Sequence, residues 1–545
     1  MLKYIYKGEK NERVPKLATE IQFGSLVKVI GEFSFYECKS LTKIDIPPSV
    51  ELIKGHAFSG CECLQSINIP PSVKVIEKRA FNLCRSLARV YIPSSVRSID
   101  GGTFDGCSSL TSIDIPTSVE SIGIEAFANC RSLERVNIPT SVIAIGERAY
   151  HGCSSLKHID IPPHVKIIRH ESFSGCESLI SVNIPTSVDV IEEKSFSSCT
   201  SLIDVKIPPS VKRIEKRAFY GCTSLTNIDI PPSVTFIGFE AFRECKSLKF
   251  INMPQTTETI EEGAFRSCTS LTQIIIPSSL NIIEKGIFRS CFSLTEINIP
   301  TSVEIIKCAA FNRCLSLIRV DIPSSVKSIE KYAFENCSSL TTIHFLTTAT
   351  NAQKDLFHQQ SYVEHFHNSQ SEQNVEEAEK KTNNNHRPIT KQKNLNSFTT
   401  IQDYTFFYCS SLKNIKIPST VKSIGESAFA GCSSLTSIDI PPSVTSIKEH
   451  TFMNCKLLEN VYLNKTCNFC EGSFPYSAKL IYSWYEVGPY ILLRELLKKK
   501  RATPINTNDK DNSSDLLVIQ KFITSTYDDI FRSVIRYLCY HESRV

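Results

Sequence analysis

Cysteine recurs every 23 residues fourteen times, from Cys38 to Cys337, and the series resumes at Cys409, Cys432 and Cys455. One unit reads Cys107, Leu110, Ile113, Ile115, Pro116, Ser118, Val119, Ile122, Ala126, Phe127, and Cys130 restarts it. Leucine stands three residues after all seventeen repeat cysteines, from Leu41 to Leu458. A fixed period in the twenties constrains the fold to a solenoid. Each unit is one coil, too small to enclose a core alone, and only stacked coils bury their apolar residues. The 545 residues would otherwise suggest several domains; the repeat turns most of them into one continuous core.

Within a coil, Leu110, Ile113 and Ile115 give an extended segment that alternates inward and outward. Pro116 ends it, because proline has no N–H for a ladder and fixes φ. Val119 and Ile122 turn inward on the far side. Ala126, Phe127 and Cys130 then suit one tight helical or 3₁₀ turn that returns the chain. The spacing therefore predicts one parallel strand per coil and a short return segment opposite it. Phenylalanine fills one slot in nearly every coil (Phe58, Phe81, Phe104, Phe127, Phe173, Phe196, with Tyr150 as a variant), so a column of stacked rings is expected along the core.

The chain holds 22 cysteines. Seventeen occupy the one fixed slot per coil, and a ladder of identical thiols on parallel strands has no unique pairing to select. They read as reduced, buried small hydrophobes.

The unit Cys-x-Ser-Leu-x-x-Ile-x-Ile-Pro-x-Ser-Val-x-x-Ile-x-x-x-Ala-Phe resembles the BspA-type leucine-rich repeat, over about Ile21 to Leu463 with one interruption. The resemblance implies an α/β leucine-rich repeat solenoid. That family includes bacterial surface adhesins, which implies binding of extracellular matrix or host proteins, as well as uncharacterised protist proteins.

Residues 1–37 read as an N-terminal cap, with Tyr4, Ile5 and Tyr6 in a short strand and Ile21, Phe23, Val27, Ile30 and Phe35 in an incomplete first coil. Regular coils follow over 38–345. Cys337 and Cys409 are 72 residues apart, 49 more than one period, yet Leu340, Ile343 and Phe345 supply one half of a coil and Phe398, Ile401 and Phe406 the other. Residues 346–397 therefore read as a loop extruded from a single coil, too polar to bury a core and expected to be disordered. Final coils occupy 398–480, with Cys470 and Phe474 placed in the isoleucine and phenylalanine slots of a partial last coil. Residues 481–545 suggest a C-terminal pair of helices, Tyr485 to Arg501 and Leu516 to Tyr540, joined by a linker at 503–515. Such helices would cap the solenoid, or act as a partner-binding or effector tail.

Chemistry on a solenoid belongs to strand positions that face away from the core. Between the two isoleucines the outward position is mostly Asp or Asn, a column expected to hydrogen-bond along the sheet. The departures in that column and its neighbour are the candidate protein-binding residues: Arg89, Tyr91, Arg135, His158, Lys206, Phe250, Ile275 and Arg319. Aromatic, aliphatic and arginine side chains on a polar face have the composition of interaction hot spots. Cys467 and Cys470 near His450 and Cys455 are a zinc-like grouping, but two of the four fall in core slots, so no metal is assigned. His358, His365 and His367 belong to the polar loop. Lys498 to Arg501 could direct nuclear import, though cations also suit a helix C-terminus.

No phosphate-cradling glycine motif, nucleophile elbow or His-Glu-x-x-His is present, so the chain reads as a non-enzyme without cofactors. A net charge of +5 argues for neither nucleic acid nor an anionic membrane as partner. Without an N-terminal signal peptide or an apolar run of the ~20 residues a span requires, the expectation is a cytoplasmic, monomeric scaffold for a protein partner. Export to the cell surface, or nuclear entry, is the alternative.

Overall fold

A computed structural model describes residues 2–346 and 398–482. The chain divides into two units, 1–483 and 484–545; the second lies outside the described residues, as do the two expected helices and the 347–397 portion of the loop. The first unit is a parallel solenoid, and each coil carries two ladders. The first ladder is built from short strands such as Ser112–Asp114, which pairs with Arg89–Tyr91 on one side and Arg135–Asn137 on the other. It runs through eleven strands without a break, then continues in sheets of four and three.

The second ladder, built from pairs such as Ser121–Ile122, was not expected as strand. Val119 and Ile122 do turn inward there, but Ser121 and Ile122 also exchange ladder bonds with Ser98 and Ile99 and with Ala144 and Ile145. This ladder is divided into sheets of three to five strands.

The return segment corrects a second expectation. It is not helical, and no helix occurs among the described residues, so the repeat is β and turn rather than α/β. Instead, two tight turns follow each other, closed by Ala128 N to Glu125 O (3.1 Å) and Cys130 N to Phe127 O (3.3 Å). Glu125 and Asn129 lie in the left-handed region, at φ 56° and 57°. The equivalent positions do so in coil after coil, which is incompatible with a helical turn. The backbone groups released this way bond to the neighbouring coil, as in Phe127 N to Ala149 O (2.8 Å) and Asn129 N to His151 O (2.6 Å).

Every repeated side chain has a place. Phe58 through Phe334 form one stack with Tyr150 inside it, successive centroids 5.1–5.9 Å apart and nearly parallel. The cysteine slot does more than fill volume. Cys130 Sγ donates to the Phe104 carbonyl (3.2 Å), Cys153 to Phe127 (3.1 Å) and Cys176 to Tyr150 (3.3 Å), and the same bond repeats up the column. A thiol is small and apolar enough for the core and still carries a weak donor. The repeat serine is explained likewise: Ser118 Oγ donates to Val96 O (2.7 Å) and Ser141 Oγ to Val119 O (2.7 Å), tying each coil to the preceding one at the corner. All cysteines among the described residues are free thiols.

At the N-terminus, Leu2–Tyr6 pairs in parallel with Ala18–Phe23, and buried Tyr6 packs 5.1 Å from Phe35 and so covers the end of the ring column. The interrupted coil closes across the insertion. Thr342–Phe345 pairs with both its neighbours, and Phe345 stacks on Phe398 at 5.4 Å. The last coil is one residue short. Phe469, not Cys470, takes the isoleucine position opposite Ile447, Cys470 is exposed, and Phe474 continues the ring column 5.2 Å from Phe452.

Candidate binding face

Alternation in the first-ladder strands puts Ile113, Val136 and Ile159 inward and leaves the residues on either side of each facing solvent. All eight candidate residues lie on this outer surface. Tyr91 is 63% exposed, Phe250 42% and Ile275 39%, and Arg89, Arg135, His158, Lys206 and Arg319 are exposed as well. Register shows which of them meet. Arg89 and Arg135 flank Ser112 from opposite sides, and Arg135 is directly opposite His158. Phe250 and Ile275 are on neighbouring strands but in different columns. Phe250 faces Gln273 and Ile275 faces Asn298, so the pair is diagonal.

Arg319 differs from the rest. It makes a two-pronged ion pair with Asp321 (2.9 and 3.1 Å), which His344 also approaches at 3.1 Å, so its guanidinium is partly committed. The expected side-chain ladder is absent between Asp114, Asn137, Asp160 and Asn183: these groups are exposed and no hydrogen bond joins them. Their hydrogen-bonding capacity is turned to solvent.

Two further features escape a reading of those columns. Ile180 and Ile203 are exposed on adjacent coils just before the first-ladder strands and add apolar surface beside Ser181 and Asp204. Most coils carry a polar residue there, so following that column would have found them. On the return face there is a cleft of about 320 Å³ lined by Asp105, Glu125, Ala128, Asn129, Arg148, His151 and Glu171. It opens because small Ala128 stands between Asp105 and His151. Burial alone would raise the Glu171 carboxyl, but hydrogen bonds from Lys194 and Arg148 (2.8 Å each) hold it down at about 2. Burial raises the Asp105 carboxyl, against a hydrogen bond from Asn129. Glu125 and Glu171 are paired with Arg79, Arg148 and Lys194, and Asp105 accepts from the Asn82 and Asn129 amides. No group of three His, Cys, Asp or Glu side chains among the described residues could hold a metal ion. In the sequence-suggested cysteine grouping, Cys455 Sγ instead donates to the Phe429 carbonyl.

A family profile described as "BspA type Leucine rich repeat region (6 copies)" matches residues 28–157, 120–249, 235–364 and 376–483. The chain belongs to the BspA-type leucine-rich repeat family. Among solved structures, this repeat protein is similar to a leucine-rich repeat protein from Bacteroides ovatus, at 25% identity and a TM-score of 0.54, covering 81% of this chain and 92% of that one. It also matches a leucine rich cell surface protein from Faecalibacterium prausnitzii at 29% identity and a TM-score of 0.36, over 71% and 83% of the two chains. No curated protein matches it significantly.

Proposed function

We propose that this protein is a non-enzymatic scaffold that recognises a protein partner across the outer surface of the first ladder. One observation carries the reading: along an unbroken eleven-strand sheet, Arg89, Tyr91, Arg135, His158, Lys206 and Phe250, with Ile275 just past its last strand, replace polar residues at exposed positions that the core does not need. Recognition is additive over several coils, with the aromatic and arginine side chains as anchors. The thiol column, whose members donate to backbone carbonyls, favours a reducing compartment, so we assign the protein to the cytoplasm.

Affinity purification of the full chain beside Arg135→Glu and Phe250→Asp tests the assignment. A protein that co-purifies with the wild type, and binds it again when reconstituted pure, should be lost with both variants while their melting temperatures stay unchanged. Capture that is equal across all three chains rejects the first-ladder surface.

A further inference from the structure

On the return face, side chains of successive coils form two adjoining columns. One runs through Arg79, Gly102, Glu125, Arg148, Glu171, Lys194, Arg217 and Glu240, each in the left-handed backbone region. Ion pairs link its members: Arg148 to Glu125 (3.7 Å) and Glu171 (2.8 Å), Lys194 to Glu171 (2.8 Å), and Arg217 to Glu240 (2.7 Å). At the next three coils the same column holds Gly263, Gly286 and Ala309, and the charges stop.

The adjoining column carries its own cations at this place: Arg243, Arg266 and Arg289 on successive coils. Each directly follows a member of the ring column, whose centroids here are 5.6 and 5.9 Å apart. Arg243 is matched by Glu240 (2.6 Å) and Glu244 (3.3 Å), and nearby Lys285 by Glu262 (2.9 Å). Arg266 and Arg289 are half-buried, and among the described residues neither has a carboxylate within ion-pair distance. The buried Nε of Arg243 also lacks an acceptor. Burial, and then the neighbouring Arg243 and Arg289, hold the Arg266 guanidinium below its ordinary value, against a smaller opposing pull from Glu240 and Glu244.

We propose that Arg266 and Arg289, above the floor of Gly263, Gly286 and Ala309, bind a compact dianion of the phosphomonoester type. Two unmatched guanidiniums call for two negative charges, which a phosphate nearly supplies at neutral pH. Their planar forks suit its oxygens. No acidic side chain projects from Gly263, Gly286 or Ala309, where Glu125, Glu171 and Glu240 stand in other coils; the Glu240 side chain leans over Gly263, so the ligand's oxygens take the place of the missing carboxylates on the Gly286 and Ala309 side. The site is separate from the first-ladder surface and does not depend on it.

The test is titration of the full chain with inorganic phosphate at constant ionic strength, followed by calorimetry and thermal melting. Saturable binding is expected, weakened about tenfold or more in Arg266→Gln and in Arg289→Gln, and unchanged in Arg97→Gln, whose side chain meets Glu120 at 3.6 Å elsewhere. Ala309→Glu keeps the fold in view. Its backbone, at φ 56°, matches that of Glu125 (56°) and Glu240 (53°), so the new carboxylate should raise the melting temperature without phosphate and abolish phosphate binding. No saturable binding by the wild type, or equal affinity in the arginine variants, overturns the site.

Discussion

Raising the pH should unfold this protein through its own cysteine column. Burial pushes the thiols of Cys176, Cys222, Cys291 and Cys337 up from the ordinary 9.0 to about 12, with a backbone hydrogen bond pulling slightly the other way. The native state therefore keeps these protons where the unfolded chain has released them. Their stabilising contribution is complete below about pH 9 and is lost as the pH rises from there towards 12. At pH 10 an unfolded thiol of ordinary acidity is mostly ionised, which favours unfolding by about 1.4 kcal/mol per site and about 6 kcal/mol for the four. That is comparable with the entire stability of many domains, about 5–15 kcal/mol. Urea unfolding under reducing conditions at pH 7, 8, 9 and 10 measures it, with thiolate absorbance recorded on the folded protein. Lysines and tyrosines also titrate in this range, so Cys176→Ala isolates one site: the cost of that substitution should be about 1.4 kcal/mol smaller at pH 10 than at pH 8. A stability curve that stays flat from pH 8 to 10, or a cost of Cys176→Ala that is the same at pH 8 and pH 10, would refute the reasoning.

Other consequences are more local. Phe196 is fully buried, with Phe173 and Phe219 each 5.4 Å away, and Phe196→Ala should cost about 3–5 kcal/mol in chemical unfolding; exposed Phe250→Ala should stay within about 0.5 kcal/mol. A Cβ on Gly146 would come 2.5–2.6 Å from the backbone of Gly123 and Ile124, so Gly146→Ala should force the coils apart and destabilise by about 1–3 kcal/mol, read as a lowered melting temperature. Because the Glu171 carboxyl lies at about 2, its stabilising effect is present above its ordinary 4.5 and is lost as the pH falls from there towards 2. Glu171→Gln should be destabilised at pH 7 and lose less on acidification than the wild type, measured by melting at pH 7, 4 and 3.

The period made the stacking, the ring column and the closure across the inserted loop legible, because each depends on apolar residues recurring at fixed offsets. The second ladder was hidden: its strands are two residues long, and Ser121–Ile122 offers too little alternation to mark a strand. The return turn misled for a different reason. Its left-handed positions are filled by Glu125, Arg148, Glu171 and Lys194 as often as by glycine, and such residues ordinarily signal helix. Glycine at Gly60, Gly106, Gly152, Gly175 and Gly221, one residue before the cysteine, was the available clue. The candidate face could be read because exposure follows alternation within a strand. The cleft beside Ala128 and the unmatched Arg266 and Arg289 could not, since they depend on how long side chains reach between neighbouring coils.

The ring contact between Phe345 and Phe398 joins the two lips of an opening at the corner between the ladders. With those lips in contact, the entropic cost of closing any flexible insertion there grows only logarithmically with its length, about 0.6 kcal/mol per doubling. The corner therefore works as a port: it admits added sequence of almost any size and character while the coils above and below keep their alignment. A repeat protein with such a port can gain a new appendage in a single insertion, without renegotiating any of its existing contacts.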